Sequence, residues 1–174
     1  MAAAAQHPGR YLESRRAAAP VVYLATVSEV REVAPADAPG SAPRMEATVK
    51  VGRLFRPATP ASPAPADAVV RYELAAAPSR GTPVAEDQQS GAFYRLKGGD
   101  RVLVFAGSFD KAFPIEMITG PPKALSAQVS ALRAWLLAMD DVTARLHGVT
   151  PAIRTQQIAL YDRILAELGG PRTP

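Results

Sequence analysis

Residues 21–33, VVYLATVSEVREV, are the stretch on which the fold turns. β-Branched and apolar side chains dominate it and alternate with the strand period. Val22, Leu24 and Thr26 fall on one face, and Val21, Tyr23, Ala25 and Val27 on the other. The first half is therefore apolar on both sides. Further on, Glu29 and Arg31 stand opposite Val30, and the segment becomes amphipathic. A strand sealed on both faces at one end only is what a strand becomes when it bends across a small barrel.

Four more strands are expected downstream. Glu46–Arg56 (EATVKVGRLFR) alternates with Ala47, Val49 and Val51 inward, until Gly52 breaks the period and Leu54-Phe55 resume it out of phase. A glycine at a phase change predicts a bulge. Val69–Leu74 alternates again, with Val70, Tyr72 and Leu74 on one face. Arg101–Ala106 (RVLVFA), fed by the turn Lys97–Asp100, is apolar almost throughout, as a central strand should be. Pro114–Thr119 is a short fifth strand with its proline at the first residue, where the missing N–H does least harm.

After Gly120-Pro121-Pro122 the period changes from two to 3.6. Leu125, Gln128/Val129, Leu132, Trp135/Leu136 and Met139 form an apolar helical stripe. Asp140-Asp141 is read as the end of that helix and the cap of a short one stopping at Gly148. Thr150-Pro151 starts a last helix, which carries Ile158, Tyr161, Ile164/Leu165 and Leu168 on one face and runs to about Leu168. His147, at a helix end, is read as an imidazole facing free carbonyls rather than as a catalyst.

Strand runs followed by helix runs specify an α+β fold. The expected architecture is a five-stranded OB-like Greek-key β-barrel followed by two or three C-terminal α-helices. The expected division is a flexible N-terminal segment at 1–17, the barrel at 18–122, and helices packed on or beside it at 123–170. The alanine- and proline-rich stretches at 34–43, 57–68 and 75–85 are read as loops.

Composition bounds the function. The chain has 174 residues, no cysteine and two histidines, so disulfide frameworks, thiolate zinc sites and cysteine nucleophiles are excluded. No run approaches the roughly 18 apolar residues of a membrane helix. The net charge of +4 is dispersed: 8 basic against 5 acidic residues in 1–60, 6 against 7 in 61–120, and 6 against 4 in 121–174. That is a solvated mixed-sign surface rather than a phosphate-binding block. The segment Met1–Gln6 lacks the regions of a secretory signal. A periplasmic or secreted location follows if a leader was removed, and a cytoplasmic one otherwise.

The string Gly98-Gly99-Asp100-Arg101-Val102-Leu103-Val104-Phe105-Ala106 resembles the "GERYLVFA" strand of netrin-like, or tissue-inhibitor-of-metalloproteinases-like, domains. Val21–Val33 is similar to their first strand and Met45–Phe55 to their second. Gly120–Leu136 is similar to the segment in which a proline-containing turn leads into a helix. Together these cover roughly residues 20–140 in element order. The resemblance, to a cysteine-free, bacterial-type variant, implies the OB-like barrel and a general role in protein binding. It does not carry over protease inhibition, which in the animal inhibitors depends on an amino-terminal cysteine that this chain lacks.

With no phosphate loop, HExxH or GxSxG motif, the chain is expected to be non-catalytic and to need no cofactor and no metal. The expected function is protein–protein interaction or assembly. Its candidate partner-binding residues are Phe109, Asp110, Lys111 and Phe113, on the loop Gly107–Pro114, and Tyr161 on the last helix, through which a homo-oligomer could form. The two phenylalanines either anchor a partner or fold back to plug the barrel end. The alternative is a single-stranded nucleic-acid-binding OB-fold protein using Arg53, Arg56 and Arg71. Glu46 and Glu73 interrupt that basic stripe, and Phe55 and Tyr72 are expected to point inward.

Overall fold

Val21–Ala34 forms one strand, β1, which the sheet uses twice. β2 (Arg44–Arg56) pairs with it antiparallel along nearly its whole length, and β5 (Arg101–Ala106) pairs with its first half on the other side. β3 (Asp67–Leu74) continues the meander beside β2, and β6 (Glu116–Gly120) lies beside β5. A two-residue strand, β4 (Phe93–Tyr94), pairs parallel with the end of β3. The order across the sheet is β4-β3-β2-β1-β5-β6. The computed structural model describes residues 12–39, 41–57, 63–74, 93–120 and 122–169. The proline-rich stretch 75–85 and His7 lie outside them.

The molecule is thus α+β, with five antiparallel strands followed by C-terminal helices: α2 (Pro122–Ala138), α3 (Asp141–Leu146) and α4 (Pro151–Glu167). The ladder leaves β4 and β6 as edges, so strand pairing does not close the expected cylinder. Among the described residues, two single bonds reach between the two ends of the sheet. The Met117 N–H donates to the Tyr94 hydroxyl at 2.9 Å, and the Arg71 N–H donates to the Ala112 carbonyl at 2.7 Å.

Each face of the sheet has its own core, as the alternation in residues 21–27 requires. Val21, Tyr23, Ala25 and Val27 join Ala47, Val49, Val70, Tyr72, Val102, Val104 and Met117 in a cluster contributed by strands and their turns. On the opposite face, Val22, Leu24, Phe55, Leu103 and Phe105 meet Leu125, Val129, Leu136, Leu160 and Ile164 from the helices. Phe55 and Tyr72 both point inward, at 4% and 1% exposed, into different cores. The change of face along β2 comes from Gly52: Leu24 pairs with Arg53 and Ala25 with Val51, so the glycine is the extra residue of a bulge.

The helix boundaries follow their caps. Asp140 accepts from the Thr143 N–H at 2.7 Å, and Thr150 accepts from the Ile153 N–H at 3.2 Å ahead of Pro151. Gly148, at φ 66°, supplies the left-handed residue after α3 that a side chain would disfavour. On α4 the buried line is Gln157, Leu160, Tyr161 and Ile164, whereas Ile158 and Leu165 are only partly buried. The segment expected to be flexible contains a helix, α1 (Leu12–Ala18), that buries Glu13 and Arg16. Its period was not visible because two charged residues occupy its inward positions.

Candidate functional site

The loop Gly107–Pro114 joins β5 to β6, and its two aromatic residues part ways. Phe109 is half-buried against the strand-walled core, its ring 5.2 Å from that of Tyr23 and tilted by 35°. Phe113 is 57% exposed. Between them, Asp110 and Lys111 are exposed, with the Lys111 chain lying over Gly107. The bond from the Arg71 N–H to Ala112 fastens the loop to β3 next to Phe113. One ring therefore holds the loop down and the other is offered to solvent. Burial pushes the Tyr23 hydroxyl up to about 12, so it stays neutral beneath Phe109.

Tyr161 is fully buried, and its hydroxyl donates to both oxygens of Glu13, at 2.7 and 2.9 Å. That takes it out of any surface and corrects its assignment as a partner-binding residue. Its burial within an apolar-looking stripe was predictable; its polar partner was not, because Glu13 lies 148 positions away. The exposed large apolar residues among the described ones of the C-terminal helices are instead Leu137, Val142 and Leu146.

The three arginines of the basic stripe do not act together. Arg53 is exposed, 4.0 Å from Glu167. Arg56 donates through Nη1 to the carbonyls of Arg16, Ala17 and Ala19, at 3.0, 3.0 and 2.8 Å. Burial, and then neighbouring Arg163, lowers its pKa from the ordinary guanidinium value. Arg71 pairs with Glu46 at 2.9 Å, and Arg31 takes the other carboxylate oxygen of Glu46. Arg31, Glu46 and Arg71 are direct cross-strand neighbours on β1, β2 and β3.

The hydrogen bonds from Arg31 and Arg71 hold the Glu46 carboxyl below its ordinary range. A depressed carboxylate contributes stability that is complete above its unfolded pKa and is lost as the pH falls through the folded one. Glu46→Gln is expected to flatten the acid limb of the thermal midpoint below about pH 4 and to leave its shape near neutrality unchanged. An unchanged acid limb would show that these pairs do not hold the strands.

Glu13, Arg16, Glu116 and Gln157, which the sequence did not single out, converge between α1, β6 and α4. Arg16 donates to both oxygens of Glu116, at 2.8 and 2.6 Å, and also pairs with Glu13. Gln157 donates to Glu13 at 3.1 Å, and Arg56 reaches Gln157 at 3.4 Å. Glu13, Arg16, Glu116 and Gln157 are between 0% and 3% exposed. Burial raises Glu116 above the usual carboxylate range and Tyr161 well above the usual phenol range. Burial opposes the Arg16 cation, but Tyr161, Glu116 and Glu13 around it more than compensate and hold its pKa up.

A separate cavity of about 390 Å³ lies between α3 and the start of α4, lined by Asp141, Arg145, Val149, Arg154 and Thr155 among others. None of the candidate partner-binding or nucleic-acid-binding residues borders it, although the cap residues Asp141, Thr150 and Pro151 do. Among the described residues no group of three His, Cys, Asp or Glu side chains is placed to hold a metal ion, and no helix is long and apolar enough to cross a membrane. Compared with known proteins, the chain matches no family model and no curated sequence.

Proposed function

We propose that the chain is a non-catalytic protein-interaction module that docks through the loop Gly107–Pro114, with Phe113 as its anchor. The observation that carries this reading is an aromatic ring left 57% exposed on a loop secured before it by the Phe109 ring and the Ala112 carbonyl, and after it by the Ile115 N–H, which donates to the Phe105 carbonyl at 2.8 Å. An exposed ring on a mobile loop would lose much of its binding free energy to ordering; one on a fastened loop loses less. Asp110 and Lys111 supply the charged rim that sets the approach of a partner.

The scaffold is read as an OB-like curled sheet of the netrin-like kind. Its support is the β1-β2-β3 meander, a first strand shared by β2 and β5, an interior walled by strands, and the two bonds that reach between the sheet ends. The nucleic-acid reading gains no comparable support, since Arg56 and Arg71 are engaged within the chain.

Phe113→Ser is expected to leave unfolding unchanged within about 0.5 kcal/mol. It should weaken the partner by on the order of 2 kcal/mol, about thirtyfold. Phe109→Ser should instead lower stability, because its ring packs on Tyr23. The measurement is affinity capture from the native source with the parent and Phe113→Ser as parallel baits, beside their denaturation curves. Captured species retained equally by both baits would sink the reading.

A further inference from the structure

Among the described residues six large apolar side chains are exposed, and three of them, Leu137, Val142 and Leu146, fall within the ten positions that end α2 and make up α3. Single apolar residues scattered over a surface are ordinary; a concentration of them marks a contact. α3 is also inverted relative to an ordinary surface helix. Its buried residue is Ala144, while Val142 and Leu146 are 66% and 58% exposed. The helix thus gives its smallest apolar side chain to the core and its two large ones to solvent. The face they form is held in place from both ends. Asp140 caps the first turn through the Thr143 N–H, and beyond the left-handed Gly148 the Val149 N–H donates to the Ala144 carbonyl at 2.8 Å.

The spacing on α3 says what fits it. Val142 and Leu146 stand one turn apart on one line of the helix, about 6 Å along its axis. Asp141 and Arg145 stand one turn apart on the adjacent line, where they border the cavity beside α4. Both are exposed, and neither makes an ion pair among the described residues. The face therefore carries one charge of each sign, and an acidic or a basic partner would lose on one what it gains on the other. A second α3 laid antiparallel about a twofold axis reverses the order of acid and base. It sets Val142 against Leu146 of the second copy and Asp141 against Arg145 of the second copy, each pairing occurring twice. A parallel arrangement would set acid on acid.

We propose that this face of α3 is a contact between two copies of the chain, which meet antiparallel through Val142 and Leu146 with Asp141 and Arg145 paired reciprocally at the rim. The contact is small, and association with a Kd on the order of 100 µM is expected. It is a second surface, distinct from the loop Gly107–Pro114.

Sedimentation equilibrium of the full chain from about 10 µM to about 1 mM tests this. The mass is expected to rise from that of one chain towards that of two. Leu146→Ser, at an exposed position, should hold it at one. Arg145→Asp leaves two acids on the rim and Asp141→Arg two bases, so each variant alone should associate about tenfold more weakly. An equimolar mixture of those two variants sets acid against base again and should recover the parent's association. Phe113→Ser should associate as the parent does. The proposal is overturned if the parent stays monomeric at about 1 mM, which would leave the face to a different protein. It is overturned equally if Leu146→Ser still dimerises, if the mixture associates no better than its components, or if Phe113→Ser abolishes the association. Should a charge variant fail to fold, the parent and Leu146→Ser decide: association present in the first and lost in the second supports the contact, and any other result overturns it.

Discussion

Phe105→Ala is expected to be among the most damaging single truncations in the chain, costing about 3–5 kcal/mol. Phe105 is 0% exposed on β5, paired with Val22 on one side and Glu116 on the other, in the core shared by sheet and helices. The loss has two parts: the transfer of the ring and the cavity left behind, because strands bonded on both edges cannot collapse inward. For a chain of this length the thermal midpoint should fall by roughly 10 °C. Urea denaturation with an unchanged slope would confirm a pure loss of stability. A loss below about 1 kcal/mol would mean that helices and sheet do not share a core at this position.

The second large effect falls on an arginine that the sequence offers as a nucleic-acid contact. Arg56→Ala is expected to cost about 2–3 kcal/mol, since the guanidinium satisfies the carbonyls of Arg16, Ala17 and Ala19 where α1 turns into β1. A half-buried cation bonded to three carbonyls is a C-terminal cap supplied from a distant strand, and alanine leaves those acceptors without it. Arg53→Ala, at an exposed position 4.0 Å from Glu167, should change stability by less than about 0.5 kcal/mol. Denaturation of the two variants side by side is the check. Equal, small effects would return Arg56 to the surface.

Much of the fold was legible because alternation is a local signal. The opposed faces of residues 21–27, the bulge at Gly52 and the caps at Asp140 and Thr150 all stand in the structure where the residues place them. Other boundaries moved. β3 begins at Asp67, inside a stretch read as loop, and β6 begins at Glu116, two residues after its proline. β4, two residues long, carries no period at all. The loop with Phe109 and Phe113 was visible as a candidate, but which ring would be exposed was not, since both have the same side chain and similar neighbours.

What the residues determine unaided is which side chains share a face and where the period changes, because both follow from backbone geometry over a few residues. What only the tertiary structure decides is who meets across long separations. Glu13 finds Tyr161, Arg16 finds Glu116 and Arg56 finds the end of α1, turning three apparent surface groups into the fastening of the N-terminal helix. A charged side chain has no periodicity that announces burial. Its partner is chosen by the folded chain, where desolvation makes an unpaired charge too unfavourable to leave alone.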